Sequence, residues 1–309
     1  MRQTRRLGSL VRVQTAQNYE LTGFYAPADR ADAPTILYTH GLSGSFETNF
    51  IFNLLDLPGI EQFNVLSTTS SGHGNIATTR RGDPALFRLT GSAFEVFTDC
   101  VPDLAAWLDF AAARSNGPVI LFGHSLGASK VTHYLAQTSD RRIAGLVLAS
   151  ASDVTGGFMD NVGRDKVPGF LKQARELVAA GRPEAIMPDD CVIGLLKQRI
   201  SAATVRDRFE PGARADQFDF YGRGSTSAFQ DLAKIDKPIF AIYCKTGELV
   251  GSLGVDRAVE PLKRRAAKCP SFDSLVVGGN HWYMGHEDEA MGGLLRWASR
   301  VVGPQKSPT

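Results

Sequence analysis

Two regimes of hydrophobic patterning alternate along the chain. Short apolar runs at 19–25, 35–39, 64–68, 119–122, 144–148, 238–243 and 274–277 are separated by longer stretches in which apolar residues return every three or four positions. Runs that are apolar on successive residues predict strands buried on both faces, as in a parallel sheet. The helical stretches between them predict crossover helices on both sides of that sheet, which is an α/β class. Phe94, Phe97, Val101, Leu104 and Leu108 make one helical stripe. Pro102 lies inside it and predicts a kink or a late start, because proline lacks the N–H that a helix interior uses. LGASKVTHYLAQ and MGGLLRWASRVV read as two further helices, and the tail PQKSPT reads as disordered.

Between 154 and 236 the alternation fails, and the segment reads as helices and loops rich in Gly and Phe. The expected organisation is therefore a core formed by 1–153 and 237–309, with 154–236 inserted as a lid or cap. A chain of 309 residues is long enough for both. Lys and Arg number 34 against 32 Asp and Glu, and the inserted segment balances at 12 of each sign. A near-neutral surface supplies no long-range field for nucleic acid or anionic lipid, so neither is an expected partner. The four cysteines are dispersed, without a CxxC pair or a histidine at zinc-ligand spacing, and read as reduced thiols with no metal. The basic N-terminus is not followed by the apolar stretch of a secretory signal, and no run is apolar for about 18 residues. A cytoplasmic protein that does not cross a membrane is expected.

Candidate chemistry centres on VILFGHSLGA, in which an apolar run leads into Gly-His-Ser-Leu-Gly and a helical pattern follows. A serine on such a tight strand-to-helix turn is a nucleophile elbow. The turn forces the serine backbone into a strained conformation and admits only small neighbours, here Gly123, Gly127 and Ala128. Ser125 is then presented at a helix N-terminus, where the dipole favours developing negative charge. The five-residue motif is weakly specific by itself, and the flanking strand and helix carry the assignment.

ILYTHGLSG, TSSGHG, LFGHSLGAS and GGNHWYMGHEDE follow one another in the order found in the α/β-hydrolase superfamily, which the chain resembles from Tyr19 to about Val302. More loosely, the run from GSAFEVFTDCVPDLAAWLDF through GHSLGASKV is similar to a subgroup of small serine esterases that includes fungal siderophore esterases. The resemblance implies an α/β-hydrolase fold, a mostly parallel sheet with helices on both faces and an inserted helical lid. It also implies an oxyanion hole built from the amides of Leu126 and Leu42, the latter in the HG loop, where His40 is structural. His73 matches a turn without a catalytic role. Because the base follows the last strand in this superfamily, His281 is the expected base and His286 the lesser candidate; His133 reads as a packing or surface residue.

The expected position of the acid departs from the superfamily pattern. Gly247 stands where Asp is usual and Glu248 follows it, while Asp153 occupies an alternative place for the acid after an earlier strand. Glu248 and Asp153 are both carried as candidates to orient the histidine. Phe158, Trp282 and Tyr283 are candidate pocket residues, although aromatics in a lid more often bury it on the main sheet. Arg80, Arg81 and Arg88 are candidates for holding a substrate carboxylate, or else a solvated face. The expected activity is hydrolysis of an ester, lactone or thioester of a small acyl substrate through an acyl-enzyme, without a cofactor. The alternatives are an acyltransferase or thioesterase using the same residues and a non-catalytic ligand-binding member of the fold.

Overall fold

A computed structural model describes residues 6–82 and 86–303, so the PQKSPT tail lies outside the described residues. The strands in chain order are β1 (Ser9–Gln14), β2 (Glu20–Ala26), β3 (Thr35–Thr39), β4 (Asn64–Thr68), β5 (Ala77–Arg81), β6 (Leu86–Thr90), β7 (Val119–His124), β8 (Ile143–Ala149), β9 (Val192–Ile193), β10 (Gln198–Arg199), β11 (Ile239–Cys244) and β12 (Phe272–Val277). The helices are α1 (Asn49–Asp56), α2 (Cys100–Ala112), α3 (Leu126–Thr138), α4 (Val154–Val162), α5 (Val167–Ala179), α6 (Ala202–Phe209), α7 (Val255–Arg265) and α8 (Glu287–Val301).

Eight strands form one sheet in the order β1-β2-β4-β3-β7-β8-β11-β12. From β4 to β12 neighbouring strands are parallel, and β2 and β1 add antiparallel at one edge. In each central strand successive residues feed opposite layers. Leu37, Leu121, Leu146 and Ala241 join a core with Leu104 and Trp107 of α2, Val131 of α3 and Leu262 of α7. Their neighbours Ile36, Ile120, Val147 and Phe240 join a second core with Phe50 of α1 and Trp297 of α8. Helices on both faces thus explain why these strands are apolar at every position.

Pro102 falls in the first turn of α2, which begins at Cys100 after a short 3-10 turn at Phe97–Asp99. That is the late start rather than the kink, since first-turn amides have no intrahelical partner to lose. Between β8 and β11 the chain leaves the sheet. It forms α4, α5, the β9–β10 hairpin and α6, and has its own apolar cluster that includes Phe158, Phe170, Met187 and Phe209. Among the described residues, no helix is long and apolar enough to cross a membrane.

Candidate active site

One residue, Ser125, separates the end of β7 from the start of α3, with φ 57° and ψ −121°. A Cβ on Gly123 would come within 2.3 Å of the Gly127 carbonyl oxygen, and one on Gly127 within 2.5 Å of the Thr39 carbonyl oxygen. The two glycines are thus required by close backbone approach, and the strain at Ser125 is held by the strand and helix on either side.

His281 lies after β12 and Glu248 after β11, on neighbouring parallel strands paired through Cys244 and Val277. Both loops therefore leave the same sheet edge, the carboxyl end where β7 delivers Ser125. The Ser125 hydroxyl lies 2.9 Å from His281 Nε2, and His281 Nδ1 lies 2.8 Å from Glu248 Oε2. With Nδ1–H donating to the carboxylate, the Nε2 lone pair is free to take the serine proton. The other carboxylate oxygen of Glu248 accepts from the Ser150 hydroxyl and from the Cys244 amide, each at 2.8 Å. Those bonds fix its rotamer. Gly247, the usual acid position, has φ 74°, and a Cβ there would lie 3.5 Å from the His281 amide nitrogen. The residue abutting the histidine backbone is thus a left-handed glycine, and the longer glutamate beside it reaches the ring.

Asp153 sits elsewhere. It caps α4 by accepting from the Gly156 amide at 2.7 Å, accepts also from the Phe220 amide at 2.9 Å, and pairs with Arg223 at 2.8 Å. With its oxygens committed to these groups it is an anchor for the inserted segment, and it is not among the partners of His281. His286 begins α8 on the surface, near Glu289.

Phe158 and Tyr283 do not line the cavity over Ser125, contrary to the expectation from sequence. Phe158 is fully buried and stacked on Phe209 at 3.8 Å, inside the core of the inserted segment. Tyr283 is also fully buried, its hydroxyl 2.9 Å from that of Ser150, behind Glu248. Trp282 does line the cavity. Arg80, Arg81 and Arg88 lie on the exposed β5–β6 hairpin and do not reach it.

Leu42 and Leu126 both border the cavity, of about 190 Å³, together with Ser125 and His281. Gly41, just before Leu42, is pressed on the serine: a Cβ there would lie 2.7 Å from that of Ser125. His40 holds this loop through Nδ1–H to the Gly41 carbonyl at 2.7 Å, while its Nε2 accepts from the Ser70 amide at 3.0 Å. Beneath it Lys130 donates to the Ser70 hydroxyl at 3.1 Å and to Glu95 at 2.5 Å, and Glu95 also pairs with Arg208 of α6. All three charges are buried. This array was not foreseen from sequence. Lys130 is a cation in a helix buried at every position from Leu126 to Leu135, a burial that only the packing of that helix reveals.

His124 is the second unforeseen contributor. Its Nε2 lies 2.8 Å from the His281 carbonyl oxygen, so it pins the base loop from below. Burial pushes both His40 and His124 down to about 3. In the unfolded chain each takes up a proton near pH 6.5. Between those values the unfolded state binds the extra protons, so the fold loses stability as pH falls through that window. Burial of Asp103, raised to about 7, acts with the opposite sign and offsets about one of the two. His124→Gln keeps a donor to the His281 carbonyl but does not titrate. Its stability is expected to fall less steeply than that of the wild type between pH 6 and pH 4, by about 1.4 kcal/mol per pH unit. Parallel thermal melts across that range check it.

Among the described residues, no group of three or more His, Cys, Asp or Glu side chains is arranged to hold a metal ion. Residues 36–291 match the model of the alpha/beta hydrolase family. No curated protein matches the chain by sequence. Among solved structures it is similar to Est1E from Butyrivibrio proteoclasticus, at 14% identity over 95% of this chain and 98% of that one, TM-score 0.60. It is also similar to the Pyrococcus furiosus esterase Pf2001, at 17% identity over 97% and 92%, TM-score 0.59. DcsB, solved with its substrate analogue, aligns at 14% identity over 96% and 98%, TM-score 0.65. At such identities the likeness is one of fold.

Proposed function

Because the chain belongs to the alpha/beta hydrolase family, we propose that it is a serine hydrolase that cleaves a carboxylic ester, or a related lactone or thioester, through an acyl-enzyme. The observation that carries this reading is the hydrogen-bond chain from Ser125 through His281 to Glu248 beside a cavity. Ser125 Oγ attacks the acyl carbon as its proton passes to His281 Nε2, and Glu248 stabilises the resulting imidazolium. Negative charge on the carbonyl oxygen is received by the amides of Leu42 and Leu126. Collapse breaks the bond to the leaving alcohol or thiol, which takes the proton from His281. Water, deprotonated by the same nitrogen, then attacks the acyl-enzyme and releases the acid. The segment 154–236 acts as a cap over this site. Esterase is also the activity named for the Pyrococcus furiosus protein of similar fold.

A fluorophosphonate probe tests the reading: it is expected to label the native protein, with the adduct mapping to Ser125. A folded protein that resists the probe overturns it. Glu248→Gln is expected to lower kcat by about 10²- to 10⁴-fold, since a neutral amide no longer stabilises the imidazolium or fixes its tautomer. Asp153→Asn is expected to lower Tm, because it leaves Arg223 short of a buried partner, while kcat holds near the wild-type value. The reverse ranking moves the acid to Asp153.

A further inference from the structure

We propose that the site selects uncharged substrates whose apolar portion is no larger than a phenyl ring or a short acyl chain, and that Leu195 and Leu196 enforce this choice. The inference rests on the serine-hydrolase reading and adds the substrate class to it. Four observations support it.

The first is size. A cavity of 190 Å³ is little larger than the roughly 150 Å³ apolar void that holds a benzene molecule, and falls below the ~300–1,000 Å³ typical of pockets for larger ligands. The second is charge. Among the described residues, no Lys, Arg, Asp or Glu lines the cavity, and of its two histidines His124 stays neutral through burial. A substrate carboxylate or ammonium entering there finds no counter-charge to offset its loss of hydration. The buried cations nearby, Lys130 and Arg208, are already engaged by Glu95 and do not line the cavity.

The third observation is how the β9–β10 tip is held. Its turn is closed by the Lys197 amide on the Gly194 carbonyl at 3.1 Å, and the Asn161 side chain donates to the same oxygen at 3.0 Å. Gly194 has φ 75° and rests on the Leu42 side chain so closely that a Cβ would come within 2.4 Å of it. The tip is thereby seated on the residue assigned to the oxyanion hole, and the two residues that follow become part of the cavity wall. The fourth is the character of that wall. Leu195, Leu196 and Trp282 line the cavity yet are 40%, 70% and 40% exposed. Apolar side chains left at an open rim are covered when an apolar group occupies the site.

The test compares ethanol release from ethyl esters by the full-length protein. Ethyl 4-methylpentanoate and monoethyl succinate have acyl groups of nearly equal shape and differ in charge. Wild-type kcat/KM is expected to favour the neutral ester by about 100-fold or more, and to fall at least about tenfold from ethyl butanoate to ethyl decanoate. Leu195→Arg and Leu196→Arg place a cation at the rim, and each is expected to shrink the charge preference at least about tenfold within the same variant, through KM for the succinate ester. Leu196 is the more exposed of the two, so its variant keeps the test valid if the other fails to fold. A wild-type preference under about threefold overturns the inference, as does an undiminished preference in the folded arginine variants. Fluorophosphonate labelling of the same wild-type sample separates the two failures. Labelled Ser125 with no charge preference sinks the substrate class alone, whereas absence of labelling sinks the serine-hydrolase reading beneath it.

Discussion

Ser125→Ala is expected to lower kcat for any ester the protein turns over by on the order of 10⁵-fold or more, while leaving the melting temperature nearly unchanged. The two halves of this result come from different physics. Losing the hydroxyl removes the atom that bonds to the acyl carbon, and no other nucleophile stands within reach of His281 Nε2 among its described partners. Stability is spared because alanine keeps the Cβ and the backbone, and the strained turn is held by Gly123 and Gly127 rather than by the hydroxyl. Residues acting as one unit are not additive, so His281→Ala and the double variant are expected to cost about as much as Ser125→Ala alone. Steady-state rates on an activated ester check the set. A Ser125→Ala protein within tenfold of the wild type removes the serine from the mechanism.

Glu95→Gln has the largest expected effect on stability, with a loss of about 3–5 kcal/mol. Burial alone raises the pKa of this carboxyl, but the Lys130 ammonium and the Arg208 guanidinium together hold it below its ordinary value. Glutamine keeps the shape and deletes the charge, which strands two cations closed off from bulk solvent. For a chain of this length the loss corresponds to a fall in Tm of roughly 5–8 °C. Replacing all three residues by apolar side chains of similar volume is expected to recover most of it, because the desolvation cost leaves together with the charges. Differential scanning calorimetry of the single and triple variants decides the matter. A Glu95→Gln protein that melts within 1 °C of the wild type shows that the two buried cations do not depend on this carboxylate.

What could be foreseen in the sequence was what is local. Strands β3 and β4 fall where the apolar runs put them, and the other five expected strands are off by one or two residues at their ends. The strands not legible in the sequence are those without an apolar run. β1 is a mostly exposed edge strand in which only Val11 and Val13 are partly buried, the β5–β6 hairpin is mostly exposed, and β9 and β10 span two residues each. Ser125 and His281 announce themselves because the turns presenting them need glycines at fixed offsets. Glu248 was harder, since its position depends on a glycine packing against a loop 33 residues away. The Lys130–Glu95–Arg208 array has no local signature at all: Glu95 is 35 residues from Lys130 and 113 from Arg208, and the three meet only after α6 docks on the 93–97 loop. Phe158 and Tyr283 depart from expectation for the converse reason. An aromatic near a site in sequence says nothing of which side of the backbone it occupies.

The anchoring of α6 through Arg208 has a consequence for traffic in and out of the protein. Swinging the whole 154–236 segment aside, door-fashion, would pull a guanidinium off its carboxylate in a buried interior, a cost of several kcal/mol at every turnover. Small molecules are expected instead to slip past the half-exposed Leu195, Leu196 and Trp282 side chains, whose rotamers interchange in picoseconds to nanoseconds. Entry and exit then keep pace with side-chain motion, and neither imposes a domain-scale delay on the cycle.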